Sequence, residues 1–216
     1  MIINVDNVEY QPQRIFCVGR NYRAHIQELN NDLPKTPVIF CKPASSLVSH
    51  EVAEIPYPRH GGKPHFETEL VVLIGNSGIP VDNEAAKKLI AGLGIGLDLT
   101  LREVQTELIA KALPWEKSKG FDASAPLAKI LPFDPATDLN NLTFSCAVNG
   151  IPRQHGNSAN MIFTIPEIML EIARYWSFLP GDLIFTGTPQ GVGALDRGDI
   201  IEINSELFVK YSWKLA

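Results

Sequence analysis

Cysteine is scarce in this chain and unpaired in pattern: Cys17, Cys41 and Cys146 lie far apart, and none belongs to a Cys-x-x-Cys pair. A scattered, odd-numbered set excludes a disulfide framework and a zinc-finger spacing. It predicts buried free thiols in a reducing compartment, the cytoplasm. Long apolar runs are missing too. None approaches the length of about 20 residues that crosses a bilayer, so no membrane span is expected. The opening residues Met1-Ile2-Ile3-Asn4-Val5-Asp6 have neither a basic start nor a long apolar stretch, so no secretory signal is expected. Basic clusters are also absent and the net charge is −5, which argues against a nucleic-acid partner. There is no internal repeat and no low-complexity linker.

What remains is a chain of 216 residues that is 45% apolar, enough for one large core, and residues 1–216 are read as a single domain. Helical signals are short. Asn21 to about Leu29 is one candidate, ended by Asn30-Asn31-Asp32-Leu33-Pro34. Asp82 caps a second that runs to Ile90, and a third spans Thr100 to about Leu113 before Pro114. Thr164-Ile165-Pro166-Glu167 has the spacing of a capping box with proline in the first turn, so a helix is predicted from about Pro166 to Tyr175. Strand signals are more numerous: residues 36–42, 66–74, 91–97, 142–148, 183–186 and 199–203. Asn149-Gly150 suits a type I′ turn that returns Ile151–Gln154 as a partner strand. Many short strands with few helices and no regular βαβ alternation predict a β-rich α+β fold, a roll or sandwich with peripheral helices.

Three carboxylates interrupt the apolar patterning. Glu67 and Glu69 open the run Phe66–Ile74, and Asp98 ends the run Ala91–Leu97. Side chains at i and i+2 of a strand share a face, so Glu67 and Glu69 look the same way. Two like charges there repel, and burying them unpaired is costly. A hard divalent cation such as Mg²⁺, Mn²⁺ or Ca²⁺ removes both penalties, and solvation at a sheet edge is the alternative.

Other candidates are individually weaker. His25 and Glu28 are three apart on the first helix, where a carboxylate can orient an imidazole as a general base; an ordinary surface pair has the same spacing. Arg20 has the planar fork that grips a carboxylate. Lys119 lies in an irregular stretch where a lysine is ordinarily solvated, and Gln105 follows Asp98 on the third helix. The segment Thr186-Gly187-Thr188-Pro189-Gln190-Gly191-Val192-Gly193 allows close backbone approach to a ligand or forms a tight turn, and it lacks the spacing of a phosphate loop. His65 stands two residues before Glu67 as a partner or an exposed loop residue. His50, His60 and His155 carry no clear signal. No pair of histidines accompanies the carboxylates, which disfavours an oxygenase site.

Taken together, these blocks resemble the fumarylacetoacetate hydrolase family. They are Gly19-Arg20-Asn21-Tyr22-x-x-His25-x-x-Glu28, Phe40-x-Lys42-Pro43, His65-x-Glu67-x-Glu69-Leu70, Asp98-x-Thr100-x-Arg102-x-x-Gln105, Lys119-x-Phe121-Asp122 and Thr186-Gly187-Thr188-Pro189-x-Gly191-Val192-Gly193. All stand in family order from about Arg14 to Glu202, and the likeness is greatest to the short acylpyruvate hydrolases that also act on oxaloacetate. The resemblance implies a mixed-strand β-roll, a homodimer, and Mg²⁺ or Mn²⁺ on Glu67, Glu69 and Asp98. It implies a water-activating dyad of His25 and Glu28, a catalytic Lys119, and substrate contacts from Arg20, Gln105 and Thr188. One departure is Phe66, where near relatives often carry histidine; it makes the surroundings of the metal less polar and leaves metal preference open.

The activity this implies is hydrolysis of the carbon–carbon bond of acylpyruvates through a metal-stabilised pyruvate enolate. The same enolate is reached by decarboxylation or tautomerisation of oxaloacetate and by isomerisation of 2-oxo-diene acids. A non-catalytic dicarboxylate-binding protein is the alternative from another class. The acyl group is not legible; loops such as Asn30–Thr36 and His50–Pro64 would select it.

Overall fold

The computed structural model describes residues 1–29, 32–60, 62–206 and 210–216. Asn30, Asn31 and Gly61, each part of a loop singled out above, lie outside the described residues.

The centre of the molecule is the strand Thr68–Ile74, buried along its whole length. Its side chains alternate between two apolar layers: Leu70, Val72 and Ile74 enter one cluster, and Val71 and Leu73 enter the other. A strand covered on both faces has no polar side to show, which is why Leu70–Ile74 is continuously apolar. Ile90–Leu97 pairs with it antiparallel on one side and Leu183–Phe185 antiparallel on the other. The sheet continues in the order Val38–Pro43, Arg14–Gly19, Leu183–Phe185, Thr68–Ile74, Ile90–Leu97, Ala125–Leu127, Leu47–Ser49, with Leu131–Pro132 also pairing to Ile90–Leu97. Pairing is mixed, since Leu183–Phe185 runs parallel to Arg14–Gly19.

A five-stranded sheet orders Ile151–Asn157, Thr143–Val148, Ile200–Asn204, Tyr211–Leu215 and Glu54–Ile55. Its hairpin turns at Asn149-Gly150 with φ of 52° and 75°, the two positive values a type I′ turn needs. Thr164 makes the expected reciprocal capping box with Glu167, and the helix Ile165–Ala173 buries Ile165, Ile168, Met169 and Ile172. Asp82 caps Asn83–Lys87 by accepting the Ala85 N–H at 2.7 Å. This is the β-rich α+β architecture with peripheral helices that the strand count predicts.

Three expectations need correcting. Phe66–Ile74 is not one strand. Pro64–Phe66 joins a small sheet between Thr100–Leu101 and Gly193–Ala194, and the chain breaks at Glu67 before Thr68 enters the central sheet. The third helix starts at Arg102, because Thr100 and Leu101 pair with His65 and Pro64. Cys41 is exposed while Cys17 and Cys146 are buried, because Cys41 lies on the edge strand Val38–Pro43. Among the described residues, no helix is long and apolar enough to cross a membrane.

Candidate metal centre and active-site cleft

The break at Glu67 builds the site. Its carbonyl accepts the Asp98 N–H at 2.8 Å, which fastens the start of one central strand to the end of its neighbour. Thr68 then pairs with Leu97 and Glu69 with Gly96, so residues 67, 69 and 98 converge at one end of the sheet. Glu67, Glu69 and Asp98 are 4%, 2% and 1% exposed, and each offers an oxygen within 4.8 Å of the others. That is close enough to share one cation. The sheet-edge alternative fails on burial.

Their electrostatic surroundings are unequal. Burial disfavours charge on Glu67, yet Lys119 and Arg102 beside it outweigh this and hold its pKa well below the ordinary carboxylate value. Lys119 Nζ is 2.7 Å from Glu67, and the Arg102 guanidinium pairs with the other carboxylate oxygen. Asp98 has Lys119 at 2.6 Å and Lys42 at 2.7 Å. Among the described residues Glu69 has no ion-pair partner and accepts only the Gly187 N–H, at 2.8 Å. Burial first, then the like charges of Asp98 and Glu67, push its pKa well up.

A cleft of about 480 Å³, measured out to its open mouth, is lined by Val18, Gly19, Arg20, His25, Leu29, Phe40, Glu67, Glu69, Asp98, Arg102, Gln105, Ile109, Trp115, Lys119 and Thr188. Every residue expected at the site is therefore on its wall except Glu28, which stands behind His25 with Oε2 3.2 Å from Nδ1. Glu28 in turn accepts the Gly191 N–H at 3.1 Å. Arg20 follows the strand Arg14–Gly19 with φ of 60°, a left-handed conformation uncommon for a side-chain-bearing residue and one that concentrates at functional sites. Gln105 accepts from Arg102 Nη1 at 2.5 Å. The Thr188 hydroxyl is already committed, donating to the Thr68 carbonyl at 2.9 Å and accepting from Gln154 at 2.8 Å.

Lys119 corrects its isolated reading: it ends a short helix, Glu116–Lys119, and is 3% exposed. Four residues that reasoning from sequence left without a role also shape the site. Lys42 is buried beside Asp98 and Arg102 pairs with Glu67. Asn21 donates to the carbonyls of Phe163 and Thr186 and accepts the Phe163 N–H, binding the Arg20 corner to the loop after Phe185. Gln154 accepts the Thr68 N–H and donates to Thr188 and the Pro189 carbonyl. Lys42 and Arg102 were visible only as letters inside the family-like blocks; Gln154 gave no signal.

Fold and cleft define a class: a mixed-sheet protein with a buried carboxylate triad, suited to one hard cation, opening on a cleft with cationic side chains. The chain belongs to the fumarylacetoacetate hydrolase family, since residues 14–211 match the domain described as fumarylacetoacetate (FAA) hydrolase C-terminal. It is 39% identical over 190 residues to a mitochondrial oxaloacetate decarboxylase of Dictyostelium discoideum, covering 88% of this chain and 87% of the relative. It is 40% identical over 197 residues to the oxaloacetate tautomerase YcgM of Escherichia coli (strain K12), covering 91% and 90%. A crystal structure of fumarylpyruvate hydrolase from Pseudomonas aeruginosa in complex with Mn²⁺ and pyruvate is 33% identical. It superposes with a TM-score of 0.94 over 100% of this chain and 95% of that one.

Proposed function

We propose that this protein is a divalent-metal enzyme of short 2-oxo acids that works through a pyruvate-type enolate. Oxaloacetate is its principal substrate, by tautomerisation or decarboxylation, and acylpyruvate hydrolysis is the second reading. The sequence alone places hydrolysis first; the relatives named for oxaloacetate move the weight. The observation that carries the proposal is the single cleft joining the carboxylate triad to His25, Arg20 and Lys119.

The residues present fit a hard cation. All three donors are carboxylates, and Glu69 is a buried carboxylate with one N–H partner and no ion-pair partner among the described residues. Glu67, Glu69 and Asp98 would hold Mg²⁺ or Mn²⁺, Ca²⁺ being a further hard cation of the same preference. When bound, such an ion supplies Lewis acidity toward the oxygens of a 2-oxo acid.

The protein's own groups do the rest. The Arg20 guanidinium binds the substrate carboxylate. With Nδ1 turned to Glu28, His25 Nε2, which has no hydrogen-bond partner among the described residues, accepts a proton from C3 of oxaloacetate or from an attacking water. Lys119 donates a hydrogen bond to the developing oxyanion, and the proton held on His25 is later passed back to the product. Phe40, Trp115, Leu29 and Ile109 form the apolar side of the cleft and exclude water from the enolate. Acylpyruvate hydrolysis draws support from one specific observation, Glu28 Oε2 3.2 Å from His25 Nδ1, since a water-activating base needs such an orienting carboxylate and decarboxylation does not.

We further propose that residues 1–216 act as one catalytic domain, since the cleft draws side chains from Val18 to Thr188. We propose that the chain works as a homodimer in the cytoplasm; buried free Cys17 and Cys146 support a reducing compartment. The test is a panel of oxaloacetate, acetylpyruvate and fumarylpyruvate with chelator-stripped protein, then with Mg²⁺ or Mn²⁺. Loss of enol absorbance and release of pyruvate are followed. Metal-dependent turnover of oxaloacetate is expected; full activity without metal sinks the proposal.

A further inference from the structure

The two buried lysines at the triad are held in different ways. Lys42 Nζ donates to the carbonyls of Leu99 at 3.1 Å, Ser124 at 2.9 Å and Lys119, besides facing Asp98 at 2.7 Å. An ammonium has three N–H groups, so Lys42 is fully used and anchored to backbone. Lys119 is the reverse. Its backbone is pinned, its N–H bonded to the Trp115 carbonyl at 3.0 Å and its own carbonyl taken by Ser124 and Lys42. Its ammonium, however, is hydrogen-bonded only to Glu67 and Asp98 among the described residues.

At 2.7 Å from Glu67 and 2.6 Å from Asp98, that ammonium fills the space between two of the three carboxylates. A dication with oxygen ligands at about 2.0–2.3 Å cannot share it. Building on the metal reading above, we propose that Lys119 is an exchangeable counter-ion. It closes the triad when no metal is present, and metal entry displaces its side chain into the cleft. Phe40 provides the landing place: its ring lies 5.1 Å from Nζ and also lines the cleft, so a displaced ammonium keeps a cation–π contact. Metal loading would thereby deliver a mobile proton donor to the substrate, and the metal-free protein would avoid three mutually repelling carboxylates. Lys42, tied to three carbonyls, stays behind as the permanent counter-ion of Asp98.

The test titrates chelator-stripped full-length protein with Mn²⁺ by calorimetry for wild type, Lys119→Met and Arg102→Met. Arg102→Met removes an equal charge beside Glu67 from a side chain anchored by Gln105. Lys119→Met is expected to bind Mn²⁺ at least about tenfold tighter than wild type and tighter than Arg102→Met, because no occupant has to leave. In wild type, acetylation of Lys119 mapped by mass spectrometry is expected to rise severalfold when Mn²⁺ is added. Should Lys119→Met not fold, the labelling decides alone. Equal affinity of Lys119→Met and wild type, equal effects of the two variants, or labelling indifferent to Mn²⁺ overturns the exchange while leaving the metal reading in place. A wild type that binds no Mn²⁺ overturns both.

Discussion

Glu28 Oε2 lies 3.2 Å from His25 Nδ1, and the same carboxylate accepts the Gly191 N–H at 3.1 Å. The imidazole is thus aimed by a group that is itself fixed to the loop following Phe185. If His25 activates water, His25→Ala lowers acylpyruvate hydrolysis by about 10²–10⁴-fold, whereas decarboxylation of oxaloacetate, which consumes no attacking water, falls much less. Pyruvate release from both substrates under Mn²⁺ measures the split. Equal losses on the two substrates would refute the water-activating role.

Gly191 has φ of 94°, and a Cβ placed there would stand 2.1 Å from the Arg153 carbonyl oxygen. Gly191→Ala therefore forces the loop to move, at a cost of about 1–3 kcal/mol, and takes the N–H away from Glu28. The expected outcome is a lower melting temperature together with a hydrolysis defect in the direction of His25→Ala. An unchanged melting temperature and rate would show that the loop tolerates the change.

Glu69 is the carboxylate most exposed to conflict between stability and function. It is buried, has no ion-pair partner among the described residues, and sits beside two other acids. Glu69→Gln is expected to abolish Mn²⁺ binding and all turnover. In chelator it should leave the protein as stable or more stable by about 0.5–2 kcal/mol, as is common when a strained functional group is removed. Thermal melts with chelator and with Mn²⁺ check both halves; a variant that is still melted at higher temperature by added Mn²⁺ contradicts the ligand assignment.

The raised pKa of Glu69 sets a pH dependence. Burial, then Asp98 and Glu67, shift its protonation upward in the folded protein, so between the ordinary carboxylate value and the raised one the folded state holds a proton that the unfolded state has lost. Stability of the metal-free protein contributed by this group is complete below that window and declines as pH rises through it. A bound metal has to eject the proton, so Mn²⁺ affinity climbs with pH across the same window. Glu67, held low by Lys119 and Arg102, is already ionised there and releases nothing. Mn²⁺ titrations in two buffers of different ionisation enthalpy report the proton directly; affinity flat in pH with no proton released rejects the account.

The parts of this molecule that depend on a few neighbouring residues are legible in its sequence. The Thr164–Glu167 capping box, the Asp82 cap and the Asn149-Gly150 turn each rest on contacts within four residues, and each appears at the expected place. The convergence of Glu67, Glu69 and Asp98 is legible at one remove, because a strand start and a neighbouring strand end are both marked by acids in apolar runs. What escapes is long-range. The parallel pairing of Leu183–Phe185 with Arg14–Gly19 joins chain segments some 168 residues apart, as the Arg14–Asp182 bond between them shows. Lys42 ends a short strand predicted over residues 36–42, yet its carbonyl partners lie 57 to 82 residues downstream. Nothing within its own strand signals them.

Lys42 therefore makes the sharpest test of how the site is supported. Burial lowers its pKa and Asp98 opposes this, the balance lying below the ordinary lysine value. Its ammonium joins three pieces of chain: the turn after Ile90–Leu97, the end of the Lys119 helix and the loop at Ser124. In Lys42→Met the apolar side chain keeps much of the volume but leaves carbonyls of Leu99, Lys119 and Ser124 short of a donor and deprives Asp98 of one counter-ion. Removing one partner from this buried cluster costs up to about 3–5 kcal/mol, because three carbonyls lose their donor and Asp98 is left with Lys119 alone among the described residues. Melting temperature should drop steeply in chelator. Added Mn²⁺ should recover part of the loss, since a dication supplies Asp98 with a replacement charge but gives the three carbonyls nothing. Full recovery by metal would mean that the carbonyl bonds contribute little and that Lys42 acts through Asp98 alone. No loss at all would mean that this lysine is not the support the geometry makes it.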